Sequence, residues 1–215
     1  MCSSDLDFTE RKGDAATLAM KWEELSAPLQ ITVPNATDLY LAELGKELRS
    51  SPGFTYENWM AAAQYAIGQK RAPEALQWAE AAAHAPQGIG RETFTTLMTL
   101  SYAQELNGKS ADAAATRDKA MSHPTATPID LHLFARQLLA QGKKDDAIRV
   151  WELNAKRYPN AWPVNVGLAR ANSAKGNYPE ALKYAKTALA QAPDEGNKKN
   201  LEGAIKKLEA GQDIN

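Results

Sequence analysis

Between Ala16 and Glu23 the residues Ala16, Leu18, Met20 and Trp22 alternate with mostly smaller or more polar neighbours, and Leu29, Ile31 and Val33 alternate with Gln30 and Thr32 in the same way. A period of two is the mark of a strand with one face covered, so residues 7–34 are expected to form a β-hairpin turning at Ser26-Ala27-Pro28. An isolated hairpin is marginal in water. Its apolar face calls for more cover, and the segment is therefore expected to be the remnant of an upstream β-domain. Pro34-Asn35-Ala36-Thr37 breaks the alternation, with Asn35 or Thr37 as the helix cap. A short helix over 38–50 follows, carrying Leu41, Leu44 and Leu48 on one face, and Ser50-Ser51-Pro52-Gly53 stops it, so 35–53 reads as a linker helix.

Beyond residue 54 the pattern repeats. Ala113, Ala147 and Ala181 are spaced 34 residues apart, and five positions before each stands a glycine, Gly108, Gly142 and Gly176. Glycine at that point ends a helix in the left-handed backbone that other residues adopt at a cost. Pro159 and Pro193 close the second helix of their units. The segment from Glu195 to Leu208 reads as a final helix with Leu201, Ile205 and Leu208 on one side and lysines on the other, the arrangement a terminal cap requires.

These residues resemble the tetratricopeptide repeat, a helix–turn–helix unit of 34 residues. The best-matching unit, Trp162 to Glu195, carries Leu168, Ala169, Gly176-Asn177-Tyr178, Ala181, Ala185, Ala188 and Pro193. The unit Pro128 to Ala161 matches through Leu131, Phe134, Ala135, Gly142, Ala147 and Pro159, and departs at Trp151 and Asn154, which suggests altered local packing. The unit Phe94 to Thr127 has Arg117 at a usually apolar place. The first, Tyr56 to about Gly90, has Lys70 in place of the turn glycine and an inserted loop at Gln87-Gly88-Ile89-Gly90. The resemblance implies an all-α fold: a helical-hairpin solenoid of four repeats over 54–195, a capping helix and tail over 196–215, and the small N-terminal β-hairpin remnant. A looser resemblance, carried by the strand Ala16 to Glu23, the repeats and the tail Gly211-Gln212-Asp213-Ile214-Asn215, is to an exported bacterial family of unknown function with a β-sandwich before tetratricopeptide helices. It implies a periplasmic or other exported location. Residues 1–6 resemble the translated end of a sequencing adaptor, so the native chain is expected to begin upstream and Cys2 is expected not to be native.

Composition narrows the function classes. Lys plus Arg is 25 against 26 for Asp plus Glu, a balance that argues against nucleic acid as the main partner. No stretch reaches the roughly 20 apolar residues of a membrane span. One cysteine excludes a disulfide framework or a multi-cysteine zinc site. His84 and His123 fall near helix ends, where the helix dipole or solvent accounts for them. No nucleophile elbow, phosphate loop, dinucleotide fingerprint or metal-ligand spacing is present, Glu23 and Glu24 are poorly placed as an acid–base pair, and the lone glycine pair Gly88-Ile89-Gly90 reads as a turn. The chain is therefore expected not to be an enzyme and to need no cofactor or metal.

Binding is the expected activity. The resemblance implies that first helices line a groove, which places Met60, Gln64, Met98, Tyr102, Glu105, His132, Arg136, Arg170 and Ser173 inward. Arg136 and Arg170 occupy equivalent places 34 residues apart and are able to grip a carboxylate in bidentate fashion; the alternative is that each pairs with acids on a solvated face. The lysine–asparagine arrangement that clamps chaperone C-termini is absent, since Met60 and Gln64 stand where it would begin. The expected role is a scaffold for a peptide or protein segment, with self-association as a further option. The alternative is an accessory region of an exported protein whose β-domain carries the activity.

Overall fold

The computed structural model describes residues 4–215; Met1, Cys2 and Ser3 lie outside the described residues. The chain divides into two compact units, one ending at Ala120 and the other running from Met121 to Asn215.

The first unit opens with three antiparallel strands in the order β1 (Ser4–Lys12), β2 (Ala15–Trp22) and β3 (Leu25–Thr32). Both connections are two-residue turns, Gly13-Asp14 and Glu23-Glu24, with φ of 57° at Gly13 and 51° at Glu23. The expected turn at Ser26-Ala27-Pro28 is instead part of β3, where Ser26 pairs with Lys21 and Pro28 with Ala19. Proline is tolerated there because β3 is an edge strand and the missing N–H breaks no inner ladder. Register puts Leu6, Met20 and Ala27 in one row and Phe8, Leu18 and Leu29 in the next, with Trp22 opposite Leu25. These residues share one face of the sheet, and Leu6, Met20, Trp22, Leu25 and Leu29 are all exposed on it.

Helix α1 (Ala36–Glu47) follows, buries Leu41 and packs Leu44 and Leu48 toward the helices. Asn35 precedes it in a left-handed backbone and makes no side-chain cap bond. After a 3-10 turn (Ser51–Phe54) come α2 (Tyr56–Gly68), α3 (Ala72–His84), α4 (Phe94–Leu106) and α5 (Ser110–Ser122). The core is built from alanines and a few large residues, among them Ala63, Ala75, Ala79, Trp78 and Leu100. Small side chains let neighbouring helices approach closely, so the repeat alanines Ala113, Ala147 and Ala181 are all fully buried.

The second unit contains α6 (Pro128–Ala140), α7 (Lys144–Arg157), α8 (Trp162–Ala174), α9 (Tyr178–Ala190) and α10 (Glu195–Glu209). Trp151 and Asn154, where the repeat pattern is departed from, are both buried. Asn154 Nδ2 donates to the Pro128 carbonyl at 2.8 Å, fastening α7 to the start of α6. Trp151 fills the α7–α8 contact against Gly167, where an added Cβ would stand 2.5 Å from the indole.

Gly108, Gly142 and Gly176 end α4, α6 and α8 with φ between 73° and 77°. At each, the following N–H bonds five residues back: Lys109 to Gln104, Lys143 to Leu138 and Asn177 to Asn172. These are Schellman turns. Lys70 makes the same turn at φ 57°, with Arg71 N–H donating to the Ala66 carbonyl. A side chain there carries a steric cost that glycine avoids. Lys70→Gly is expected to stabilise the chain by up to about 1 kcal/mol, read as a higher urea midpoint with unchanged slope; a lower midpoint would contradict this account.

Candidate functional site

In the second unit, α6 is set by a reciprocal cap. Asp130 N–H donates to Thr127 Oγ1 at 3.3 Å while Thr127 N–H donates to Asp130 Oδ2 at 2.9 Å, with Pro128 at the first helical turn. One turn on, His132 and Arg136 project from the same face of α6, four residues apart. Arg170 comes from the equivalent place on α8. Helix α10 starts at Asp194, whose Oδ1 accepts the Asn197 N–H at 2.8 Å. That bond and those from the Asn197 side chain hold the Asp194 carboxyl below its usual range, and they fix the start of the helix, whose first two turns present Asn197 and Asn200.

These elements enclose a cavity of about 130 Å³ walled by His132, Arg136, Trp162, Arg170, Asn197 and Asn200, with Ile214 at one side. His132 is 5% exposed, and its Nδ1 has no hydrogen-bond partner. Burial, with Arg170 and then Arg136 adding like charge, pushes its pKa down to about 4, so the ring is neutral at pH 7. The Arg170 guanidinium is likewise pushed below its ordinary value by burial and by Arg136, against an opposing pull from Asp213. Two guanidinium groups close together, one of them depressed by burial and by its neighbour, beside a buried neutral imidazole, make a place where an anion is the favoured guest.

The C-terminal segment reaches this place from α10. Gly211, at φ 69°, and the bond from Gln212 N–H to the Lys207 carbonyl turn the chain back over α8. Ser173, 2% exposed, donates from Oγ to Asp213 Oδ1 at 2.6 Å and accepts the Ile214 N–H at 3.1 Å. Arg170 Nη1 donates to the Ile214 carbonyl at 3.1 Å, and Asn215 Nδ2 donates to the Arg170 carbonyl at 3.1 Å. Burial would raise the Asp213 carboxyl, but hydrogen bonds from Ser173 and Asn215 outweigh it and hold it below the usual carboxylate range.

Of the residues expected to line a groove, His132, Arg136, Arg170 and Ser173 thus meet in the second unit. The first three wall the cavity, whereas Ser173 is covered by the tail. In the first unit Gln64 Nε2 lies 3.3 Å from Thr99 Oγ1, Met60 and Tyr102 are half-buried, and Met98 is turned into the interior at 6% exposure. Glu105 accepts from Ser110 at 3.1 Å and lies 3.6 Å from Arg117, which explains how a charge sits at that usually apolar position. Trp162, Asn197, Asn200 and Ile214 were outside the sequence-based selection, because they come from a helix start, the closing helix and the tail rather than from inward helix positions. His84 closes α3 between Glu80 and Glu92, at 3.0 Å and 3.1 Å, and serves that surface cluster. Among the described residues no group of three or more His, Cys, Asp or Glu is placed to hold a metal ion, and no helix is long and apolar enough to cross a membrane.

Helical hairpins with a recurrent Schellman glycine and buried alanine, preceded by a three-stranded sheet, define a tetratricopeptide-like helical array with a small β-element. Comparison with known proteins gives no matching protein-family model and no matching curated protein. Among solved structures the chain is similar to YrrB, described as a TPR protein with an unusual peptide-binding site: 16% identity over 79% of this chain and 84% of that one, with a TM-score of 0.45.

Proposed function

We propose that the chain is a noncatalytic scaffold that binds a peptide or protein segment, and that the second unit holds an acidic side chain of that segment between Arg136 and Arg170. The observation that carries this reading is the cavity itself: two arginines and the buried His132 ring wall a space large enough for a carboxylate. Hydrogen bonds to charged groups contribute about 1.5–3 kcal/mol each, so losing one arginine costs roughly tenfold or more in affinity. A panel of fluorescein-labelled peptides with an Asp or Glu beside an aliphatic residue, read by anisotropy, tests it. Arg136→Ala with Arg170→Ala is expected to weaken the best binder at least tenfold, more so at low salt. Affinity that survives both substitutions removes the arginines from the site.

A second reading is favoured by the sheet. Its apolar face, with Leu6, Met20, Trp22, Leu25 and Leu29 exposed, has the composition of one layer of a β-sandwich. Under this reading the repeats position a larger β-domain of an exported protein, and that domain carries the activity. Source DNA encoding an export signal and further strands upstream of Asp7 supports it; DNA in which the chain begins at Met1 counts against it.

A further inference from the structure

The tail uses up the hydrogen-bonding capacity that a bound peptide would need. Ser173 is almost fully buried, and its hydroxyl both donates to Asp213 and accepts from Ile214 N–H. Arg170 spends one nitrogen on the Ile214 carbonyl. The Ile214 side chain packs against the cluster of Ala169, Ala181 and Ile205 and closes one wall of the cavity beside His132 and Arg136. The partners thus engaged are one carboxylate, the N–H and C=O of the next residue, and an aliphatic side chain. Nothing in that set is peculiar to a tail: an extended segment of any chain with an acidic residue followed by an aliphatic one offers the same groups. Lifting the tail would leave the Ser173 hydroxyl and the Arg170 guanidinium without these partners, a state that costs energy until a replacement arrives.

Resting on the peptide-scaffold reading above, we propose that Asp213–Asn215 is a tethered competitor: it occupies the α8 side of the site, and an acidic–aliphatic segment of a partner binds by displacing it. A tail attached to α10 acts at an effective concentration in the millimolar range, so contacts too weak to hold a free pentapeptide firmly suffice to hold it in place. If the tail is docked about nine-tenths of the time, a partner sees an affinity lowered about tenfold.

The test uses the tail's own sequence as probe. An acetylated Gly-Gln-Asp-Ile-Asn peptide is titrated into the full chain, into the chain ending at Ala210 and into full-length Asp213→Ala, following the Trp162 indole N–H by NMR. The peptide is expected to bind the shortened chain about tenfold more tightly than the full chain, with Asp213→Ala in between, and a peptide with Ala in place of Asp is expected to lose this binding. Equal affinity for the full and shortened chains overturns the proposal. So does absence of binding to either variant while circular dichroism shows native helix content. Should the shortened chain not fold, Asp213→Ala decides alone, by gaining peptide binding or not. Binding of the tail peptide while no labelled acidic peptide binds the shortened chain would leave only a docked tail, rejecting the scaffold reading and with it the competition, whereas equal affinities with labelled peptides still binding would reject the competition alone.

Discussion

Trp151→Ala should be the most damaging single substitution in the second unit. The indole is 1% exposed and fills the space between α7 and α8, so its removal costs about 3–5 kcal/mol from lost burial and the cavity left behind. Against a total stability of about 5–15 kcal/mol for an ordinary domain, that removes from about a fifth of the margin to all of it. The same contact can be spoiled from the other side. Gly167→Ala places a methyl group 2.5 Å from Trp151 Cδ1 and 3.0 Å from Nε1, and a rigid, enclosed ring has nowhere to retreat. Overpacking of this kind costs about 1–3 kcal/mol. The two effects should not add. With the indole gone the methyl enters vacated space, so the double variant is expected to be more stable than the sum of the singles by about 1 kcal/mol or more. Urea unfolding followed at 222 nm for the four proteins gives the cycle directly. Strict additivity would mean that Gly167 is small for some other reason than the tryptophan.

This contact also shows where sequence reading stops. The 34-residue period, the glycines and the buried alanines were legible because each unit repeats a local solution: a Schellman turn, then a small residue where two helices meet. Trp151 and Asn154 could be seen only as departures. Their roles depend on Gly167 and Pro128, which lie 16 and 26 residues away. The N-terminal strands were half legible. Alternation exposed β2 and much of β3, but the turn at Glu23-Glu24 contains none of the usual turn residues, while Pro28 mimics one on an edge strand. The arginine pair was visible from its equivalence in the repeat. The tail was not, since its bonds to Ser173 and Arg170 span 40 to 45 residues and no local pattern encodes them.

His132 should make stability fall as the solution is acidified from pH 6.5 toward pH 4. Its pKa in the folded chain is about 4, against 6.5 for an exposed histidine. Between those values the unfolded chain takes up a proton that the folded chain refuses, and each pH unit lowers the folding free energy by up to about 1.4 kcal/mol. Over the window the loss reaches about 3 kcal/mol, and it levels off below pH 4, where both states are protonated. Asp213, Asp194 and Glu92 enter only the lower part of this window. Their carboxyls are held below the ordinary range, so the stability they supply begins to be lost from about pH 5 downward, and the histidine is read cleanly between pH 6.5 and about pH 5. The comparison that isolates the effect is His132→Gln, which keeps a polar side chain of similar reach without a proton to take up. Its urea midpoint should be nearly flat between pH 6.5 and about pH 5, while that of the parent chain falls. Two parallel curves would show that the buried ring is not the group being protonated. Acid loading of His132 would also set a third positive charge beside Arg136 and Arg170, so any loss of fold should begin at α6 and α8, visible as faster amide exchange in those helices before the first unit is affected.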